Sequence, residues 1–322
     1  MAEAMEGQDP ARTLVERFAE AVTSLYPGAG RIGLAVSGGP DSLAMLLLAA
    51  EAFPGRVEAA SVDHGLRPES AQEAAMVAQL CQSLGVPHET LTVTVDPGNL
   101  QAEARAARYA ALAEWAARRE LAALATAHHA DDQAETLILR LNRGSGVSGL
   151  AGVRATGRVP GTRLPLIRPL LDWRRADLAE AITARGIAAV QDPSNADPRF
   201  DRARLRLYLA GIDWLNIPAI AASAAHLADA EAALSWAAAR EWEDCVTRAP
   251  MGLTYRPQAP RAIALMVMAR IVRELDGAEP RGSAVARVFD SLMARQPASI
   301  GNLVARAGPD GWSFMKAPAR RG

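Results

Sequence analysis

Short apolar runs alternate with longer stretches of helical periodicity over the first two thirds of the chain. The apolar runs have the length of buried strands and cover residues 32–36, 57–62, 88–95, 121–127 and 164–171. The helical stretches cover residues 11–26, 43–53, 71–84, 99–120, 131–141 and 174–185. Strands that alternate with helices predict an α/β fold, in which helices cover both faces of a parallel sheet.

The pattern changes after residue 212. Alanine-rich helices are predicted at 218–246, 259–275 and 283–294, and short strand-like pieces at 299–304 and 312–314. We therefore expect a domain boundary near residue 215. It divides the chain into an α/β domain of residues 1–215 and a smaller, mostly helical domain of residues 216–322.

Scarce residue types exclude several classes of protein. Only Lys316 is a lysine among 35 basic residues, so the chain has no GxxxxGK[ST] phosphate loop. Its two cysteines, Cys81 and Cys245, lie far apart, which argues against a cysteine-rich zinc site, an iron–sulfur cluster or a disulfide framework. Neither a signal peptide nor an apolar run of about 18 residues is evident, so we expect a cytoplasmic protein without a membrane partner.

The net charge of −1 conceals a segregation of charge along the chain. Residues 61–139 hold 5 arginines and 11 acidic residues, whereas residues 140–210 hold 13 arginines and 6 acidic residues. A basic block beside an acidic one suits a polyanion track next to a cation site. It also suits an arginine-rich solvated surface, so charge alone does not decide between the two.

A glycine-rich turn follows the first predicted strand, at the sheet edge where open parallel sheets bind ligands. It reads Ser37-Gly38-Gly39-Pro40-Asp41-Ser42. The adjacent glycines allow close approach of a polyphosphate, which backbone N–H groups and the following helix N-terminus favour. A carboxylate such as Asp41 repels phosphates unless a cation lies between, so this turn predicts a nucleotide with Mg²⁺.

A second cluster follows the fourth predicted strand. If a helix begins at the paired histidines, then His128, Asp132 and Glu135 share one helix face. That face suits a metal site, and it equally suits recognition of a cationic substrate whose ammonium group pairs with the carboxylates. A purely structural alternative is that Asp131 caps the helix.

Two other stretches carry arginines in regular spacing. Arg105 and Arg108 are three residues apart on a predicted helix, with Tyr109 beside them. The glycine-rich segment 139–150 and the arginines at the end of the basic block could lie against phosphate; that block ends with Arg202, Arg204 and Arg206.

Taken in order, six strings resemble the tRNA(Ile)-lysidine synthetase family of PP-loop ATP pyrophosphatases. They are SGGPDS, SVDHGLR, ARAARY, ATAHHADDQAET, LRLNRGSGVSGL and DPSN followed by RFDRARLR, and they cover about residues 31–206. The resemblance implies that ATP adenylates the C2 oxygen of the wobble cytidine in an isoleucine tRNA with a CAU anticodon. Free L-lysine then attacks C2 through its ε-amine, which expels AMP and leaves lysidine.

The resemblance also implies roles for individual residues. The nucleotide-binding group, with Asp41 as Mg²⁺ ligand, is Ser37, Gly38, Gly39, Asp41 and Ser42. Arg108 and His128 would sit at the reacting cytidine and phosphate, and Arg105 would be a further substrate-binding residue. Asp132 and Glu135 would receive lysine, and Arg204 and Arg206 would contact RNA. The base that deprotonates lysine stays open between a carboxylate and His128. Gln191 and Ala203 depart from the family pattern on the RNA side.

Other activities compete with this interpretation. A tRNA thiolase of the same fold needs catalytic or cluster-binding cysteines, and an ammonia-dependent amidating enzyme needs an ammonia source; neither feature is visible. A non-catalytic RNA-binding protein would tolerate loss of the acidic residues that this chain retains. The domain of residues 216–322 has no motif of its own, and by resemblance it is expected to help bind tRNA.

Overall fold

A computed structural model of the chain describes residues 13–65, 69–94, 100–187, 201–209 and 211–317. The chain forms two compact units, Met1–Leu227 and Ala228–Gly322, so the division falls somewhat beyond the predicted boundary near residue 215. Leu66, Arg67 and the DPSN string at 192–195 lie outside the described residues.

The first unit contains a six-stranded sheet. Its strands are β1 (Ile32–Ala35), β2 (Val57–Asp63), β3 (His88–Thr92), β4 (Ala123–Ala125), β5 (Thr156–Arg158) and β6 (Pro165–Ile167), in the spatial order β3-β2-β1-β4-β6-β5. Every pairing is parallel except that of β5 with β6. The predicted α/β fold is thereby confirmed. The short edge strand β5 was not predicted, because its three residues are exposed and carry no apolar pattern.

Helices accompany this sheet: α1 (Leu14–Leu25), α2 (Pro40–Ala52), α3 (Glu69–Ser83), α4 (Leu100–Arg118), α5 (Ala130–Asn142), α6 (Val147–Leu150), α7 (Arg175–Thr183) and α8 (Asp201–Leu209). Helix α2 lies between α1 and α7, and each residue from Ser42 to Ala49 is buried. Complete burial explains why this helix is apolar on all sides rather than on one face. A separate apolar cluster contains Tyr109 and Trp115 of α4 together with Leu166 of β6.

The strand order decides which turns lie next to each other at the edge of the sheet. Strand β1 pairs with β4 through Leu34 and Ala125, so the carboxyl ends of these two strands are neighbours. The segments after them, which begin at Val36 and Thr126, therefore leave the sheet side by side. The glycine-rich turn and the histidine pair belong to one sheet edge.

The second unit combines helices with an antiparallel sheet. Its helices are the end of α9 (Ile217–Cys245), α10 (Arg261–Asp276) and α11 (Gly282–Met293). Its strands are β7 (Val246–Ala249), β8 (Gly252–Tyr255), β9 (Ala298–Ile300), β10 (Leu303–Gly308) and β11 (Gly311–Lys316), in the order β7-β8-β11-β10-β9. The strand-like pieces near the C-terminus are thus part of a five-stranded sheet, of which β7 and β8 were not predicted. Across the described ranges, every helix is too short or too polar to span a membrane.

Candidate functional site

The glycine-rich turn joins β1 to α2, and hydrogen bonds that involve its two serines stabilise it. Ser42 Oγ donates to Gly39 O at 2.9 Å and accepts from the Ser37 N–H at 3.1 Å. Gly38 has a φ of +83°, a conformation that side-chain-bearing residues rarely adopt. Gly39 is the N-cap of α2, with Pro40 at the first helical position. The turn therefore presents backbone N–H groups and the positive end of α2 at one place.

Asp41 lies in the first turn of α2 and faces a buried histidine that the sequence analysis passed over. His129 has no exposed side-chain surface, and its Nε2 lies 3.4 Å from Asp41 Oδ2. The other carboxylate oxygen of Asp41, Oδ1, is buried without a hydrogen-bond partner. Asp41 Oδ2 therefore lies at ion-pair distance from His129, whereas Asp41 Oδ1 has no polar partner among the described residues.

His129 sits among three carboxylates. Besides Asp41, Asp131 Oδ2 lies 3.6 Å from its Nδ1, and Asp132 Oδ2 lies 3.6 Å from its Nε2. Burial by itself lowers the pKa of His129, but the carboxylates of Asp131, Asp41 and Asp132 outweigh it and raise this pKa to about 9. At neutral pH the ring is an imidazolium that links the start of α5 to the start of α2.

His128 behaves in the opposite way, although it is the adjacent residue. Burial and the positive charges of Arg168, Arg105 and Arg108 lower the pKa of His128 to about 4, against a smaller opposing effect of Asp132. Its Nδ1 lies 3.0 Å from Thr126 Oγ1, which leaves the other ring nitrogen for a substrate group. His128 is therefore a neutral imidazole that can donate or accept a hydrogen bond.

The two acidic residues assigned to lysine have different surroundings. Asp132 accepts from the backbone N–H of His129 at 3.3 Å, and its side chain is 15% exposed. Glu135 is almost fully buried and is held by guanidinium groups; its partners are Arg206 (2.6 Å and 3.0 Å), Arg175 (3.2 Å) and Arg202 (3.3 Å). Asp132 is the more open of the two carboxylates, whereas the charge of Glu135 is already matched.

The two arginines that were predicted to contact RNA, Arg204 and Arg206, have different surroundings in the structure. Arg206 binds Glu135 and lies 3.5 Å from Asp132, so it belongs to the same cluster as the acidic residues. Arg204 is exposed and pairs with Asp201 at 2.6 Å on the same helix. The sequence spacing alone gave no sign that one of the pair turns inward.

Arg105 and Arg108 both lie against Tyr109 on α4. Their guanidinium carbons are 5.1 Å and 5.3 Å from the centre of the tyrosine ring. Tyr109 is buried, and desolvation by burial is the main cause that lowers the pKa of Arg108. The positive charges of both arginines contribute to lowering the pKa of His128.

Sequence reasoning missed His129 and Arg175, and it named Arg202 only as an arginine at the end of the basic block, not as a partner of Glu135. A signal for His129 was present, since it lies two residues before the acidic pair Asp131-Asp132, at the position that becomes the N-cap of α5. Nothing in the sequence signalled that Arg175 and Arg202 pair with Glu135, because Glu135 lies 40 or more positions earlier in the chain.

No group of three histidine, cysteine or acidic side chains in the described part of the chain is arranged to hold a metal ion by itself. Magnesium at phosphate sites commonly uses one or two carboxylates together with phosphate and water oxygens. One carboxylate oxygen of Asp41, in the glycine-rich turn, is buried without a hydrogen-bond partner, and it fits that mode rather than an all-protein cage.

Comparisons with known proteins identify the family of the chain. The family described as PP-loop domain matches residues 10–211. A tRNA(Ile)-lysidine synthase of Novosphingobium aromaticivorans is 47% identical over 320 residues, which are 98% of each chain. One of Zymomonas mobilis subsp. mobilis is 41% identical over 313 residues, 94% of each chain.

A solved structure shares the fold. It is the U34-tRNA thiolase NcsA from Methanococcus maripaludis with its [4Fe-4S] cluster, which superposes with a TM-score of 0.52 over 66% of this chain and 77% of that one. At 15% sequence identity, this likeness speaks for the fold alone. The long matches to curated relatives and the PP-loop domain show that the chain belongs to the tRNA(Ile)-lysidine synthase family.

Proposed function

We propose that this protein is an ATP-dependent ligase that forms lysidine at the wobble cytidine of an isoleucine tRNA with a CAU anticodon. In this reaction the C2 oxygen of cytidine attacks the α-phosphorus of ATP and pyrophosphate leaves. The ε-amine of free lysine then attacks C2, loses a proton and displaces AMP. The observation that carries the proposal is the junction of the glycine-rich turn with the start of α5 through Asp41 and His129, in a chain of this family.

The turn from Ser37 to Ser42 is proposed to hold the pyrophosphate that leaves. Its backbone N–H groups and the N-terminus of α2 stabilise negative charge there. Asp41 Oδ1 would hold Mg²⁺, which when bound neutralises charge on the phosphates. The imidazolium of His129 keeps the other oxygen of Asp41 in place and offsets part of its charge.

Arg105, Arg108 and His128 are proposed to face the reacting cytidine and its phosphate. Two guanidinium groups near the reaction centre stabilise the charge that develops on phosphate oxygens. His128 is neutral at physiological pH because its pKa is lowered to about 4, so it can hydrogen-bond to the base without adding charge. A histidine with that pKa is about as weak a base as an ordinary carboxylate, so basicity does not distinguish the two as the group that accepts the proton of lysine.

Asp132 and Glu135 are proposed to bind the substrate lysine. Asp132 is accessible and can pair with an ammonium group as the chain stands. Glu135 can do so only if one of its three guanidinium partners moves away, and Arg206 also lies beside Asp132. Arrival of a cation at this cluster therefore competes directly with Arg206.

We further propose that Arg204, Arg206 and residues 216–322 contribute to tRNA binding. Arg204 is exposed, which suits a contact with phosphate. A cytoplasmic location follows from this function, because the enzyme meets tRNA, ATP and free lysine there.

Sulfur transfer is the competing activity, and the cysteines speak against it. Both Cys81 and Cys245 are buried, and burial raises the pKa of the Cys81 thiol to about 12 and also raises that of Cys245. Reactive cysteines have lowered pKa values and accessible sulfur atoms. An iron–sulfur cluster usually takes more thiolates than this chain has.

The test is to incubate the protein with unmodified isoleucine tRNA transcript, ATP, Mg²⁺ and labelled lysine. We expect label in the RNA and release of one AMP and one pyrophosphate for each lysine incorporated. Label from ammonia or sulfide instead, with none from lysine, would contradict the proposal. Asp132→Asn should lose lysine incorporation more strongly than lysine-independent pyrophosphate release, because only the second half-reaction needs the ammonium site.

A further inference from the structure

Arg168 is a buried arginine without a counter-charge. Its residue is 8% exposed, and its Nε has no hydrogen-bond partner. One Nη1–H donates to the backbone oxygen of Arg154 at 2.6 Å, and no carboxylate of the described residues lies within ion-pair distance. A buried positive charge without a negative partner lowers the free energy of unfolding of the ligand-free protein.

The position of Arg168 connects it to the reaction centre. It directly follows β6, whose Ile167 accepts a hydrogen bond from Thr126 N–H at 3.1 Å, two residues before His128. Leu166, two residues before Arg168, belongs to the apolar cluster of Tyr109, so alternation along the strand turns Arg168 towards α4. Burial lowers the pKa of Arg168, Tyr109 opposes this effect, and the positive charge of Arg105 adds to it, as expected for neighbours.

We propose that Arg168 joins Arg105 and Arg108 in a phosphate-binding site at the carboxyl ends of β4 and β6, and that a substrate phosphate supplies the missing negative charge. Three guanidinium groups without acidic partners in the described structure surround the same tyrosine and histidine. Arginine forks match phosphate oxygens in pairs of hydrogen bonds, which a lysine cannot reproduce.

The inference rests on the proposed function, because that function brings two phosphates to this edge of the sheet. One is a phosphate of ATP, and the other is the phosphodiester next to the target cytidine. Both present the same chemistry to a guanidinium group, and binding measurements with one ligand at a time separate them.

The experiment compares wild type with Arg168→Gln, Arg168→Lys and the control Arg163→Gln, which removes an exposed arginine just before β6. For each full-length protein, the melting temperature without ligand, the Kd for ATP with Mg²⁺, and the Kd for tRNA at several salt concentrations are measured. Neither binding measurement requires turnover.

We expect Arg168→Gln to keep the melting temperature of wild type, because it removes an uncompensated charge and keeps a donor for Arg154 O. Its affinity for one ligand should fall about tenfold or more, while Arg163→Gln stays near wild type. Weaker binding of ATP would identify the phosphate that contacts Arg168 as one of the nucleotide. Loss in the tRNA measurement, with a salt slope reduced by about one, assigns the RNA backbone. Arg168→Lys should fold and recover only part of the affinity.

Two outcomes would overturn the inference. One is that Arg168→Gln and Arg168→Lys bind both ligands as Arg163→Gln does. The other is that both variants melt well below wild type, which would make Arg168 a structural residue of the free protein. Lysidine formation by the wild type would stand in either case, so failure of the inference is distinct from failure of the proposed function.

Discussion

Two adjacent histidines in this site have opposite charge states, and their neighbours are the reason. His128 faces arginines and stays neutral, whereas His129 faces Asp41, Asp131 and Asp132 and is protonated. Residues next to each other at a helix start point in different directions, so one side chain meets the basic part of the site and the other meets the acidic part. The charge state of a histidine in this site therefore depends on the charged groups that the fold places around it, and the residue type alone does not give it.

The charge of His129 predicts how the stability of the folded protein depends on pH. Because its pKa in the folded protein is about 9, above the ordinary 6.5, its stabilising effect is complete below pH 6.5 and is lost as the pH rises through 9. Replacing it by asparagine should lower the free energy of unfolding by about 3 kcal/mol at pH 6 and by much less at pH 10.

Urea unfolding of wild type and His129→Asn at both pH values measures this difference. His226→Asn is the control, because His226 is exposed on α9. A loss of stability that is equal at the two pH values would show that His129 contributes through packing and not through its charge.

At the scale of elements, the site is a product of strand order. The glycine-rich turn was predicted from its residues, because the positive φ of Gly38 and the helix start at Pro40 leave few alternatives. That Asp41 lies against His129 could not be predicted, since nothing local says that β1 pairs with β4. Pairing between distant strands is decided by packing of the whole sheet, which a sequence pattern does not express.

The turn supports a prediction that separates backbone strain from ligand binding. Gly38→Ala should lower the free energy of unfolding by about 1 kcal/mol, because alanine disfavours the left-handed conformation. It should also weaken ATP binding by about tenfold or more, because relief of the strain moves the backbone N–H groups.

Gly55→Ala is a matched control, since Gly55 has a similar φ of +73° and open space around it. It should show the same loss of stability, measured by urea unfolding, with an unchanged Kd for ATP. Unchanged ATP binding in Gly38→Ala, together with the expected loss of stability, would remove the turn from the nucleotide site.

At the scale of the whole molecule, the two units have separate apolar cores. The clusters of the first unit end before α9, and that of the second runs from Ala238 to Phe314. The helices of the second unit were predicted from their periodicity. Strands β7 and β8 were not, because each has only four residues and the pairing of β8 with β11 joins positions far apart in sequence.

A buried carboxylate joins several segments of the second unit through hydrogen bonds. Its replacement tests whether this unit unfolds independently of the first. Glu241 Oε1 accepts from Tyr255 Oη at 3.0 Å, from Gln258 N–H at 2.7 Å and from Ala259 N–H at 3.1 Å. Burial alone raises the pKa of Glu241, but these donors outweigh it and lower this pKa. Glu241→Gln replaces the charged acceptor by a neutral one and should destabilise the second unit by about 2 kcal/mol.

Hydrogen exchange read by mass spectrometry on peptides from each unit measures where that loss occurs. We expect faster exchange in α10 and β8 of Glu241→Gln and no change in β1 and β4. We also expect an unchanged Kd for ATP, because the proposed nucleotide site uses residues of the first unit alone. Glu243→Gln removes an exposed carboxylate of the same helix and should leave exchange as in wild type. Faster exchange in β1 and β4 of Glu241→Gln would mean that the two units unfold as one, and that their separate cores do not give them separate stabilities.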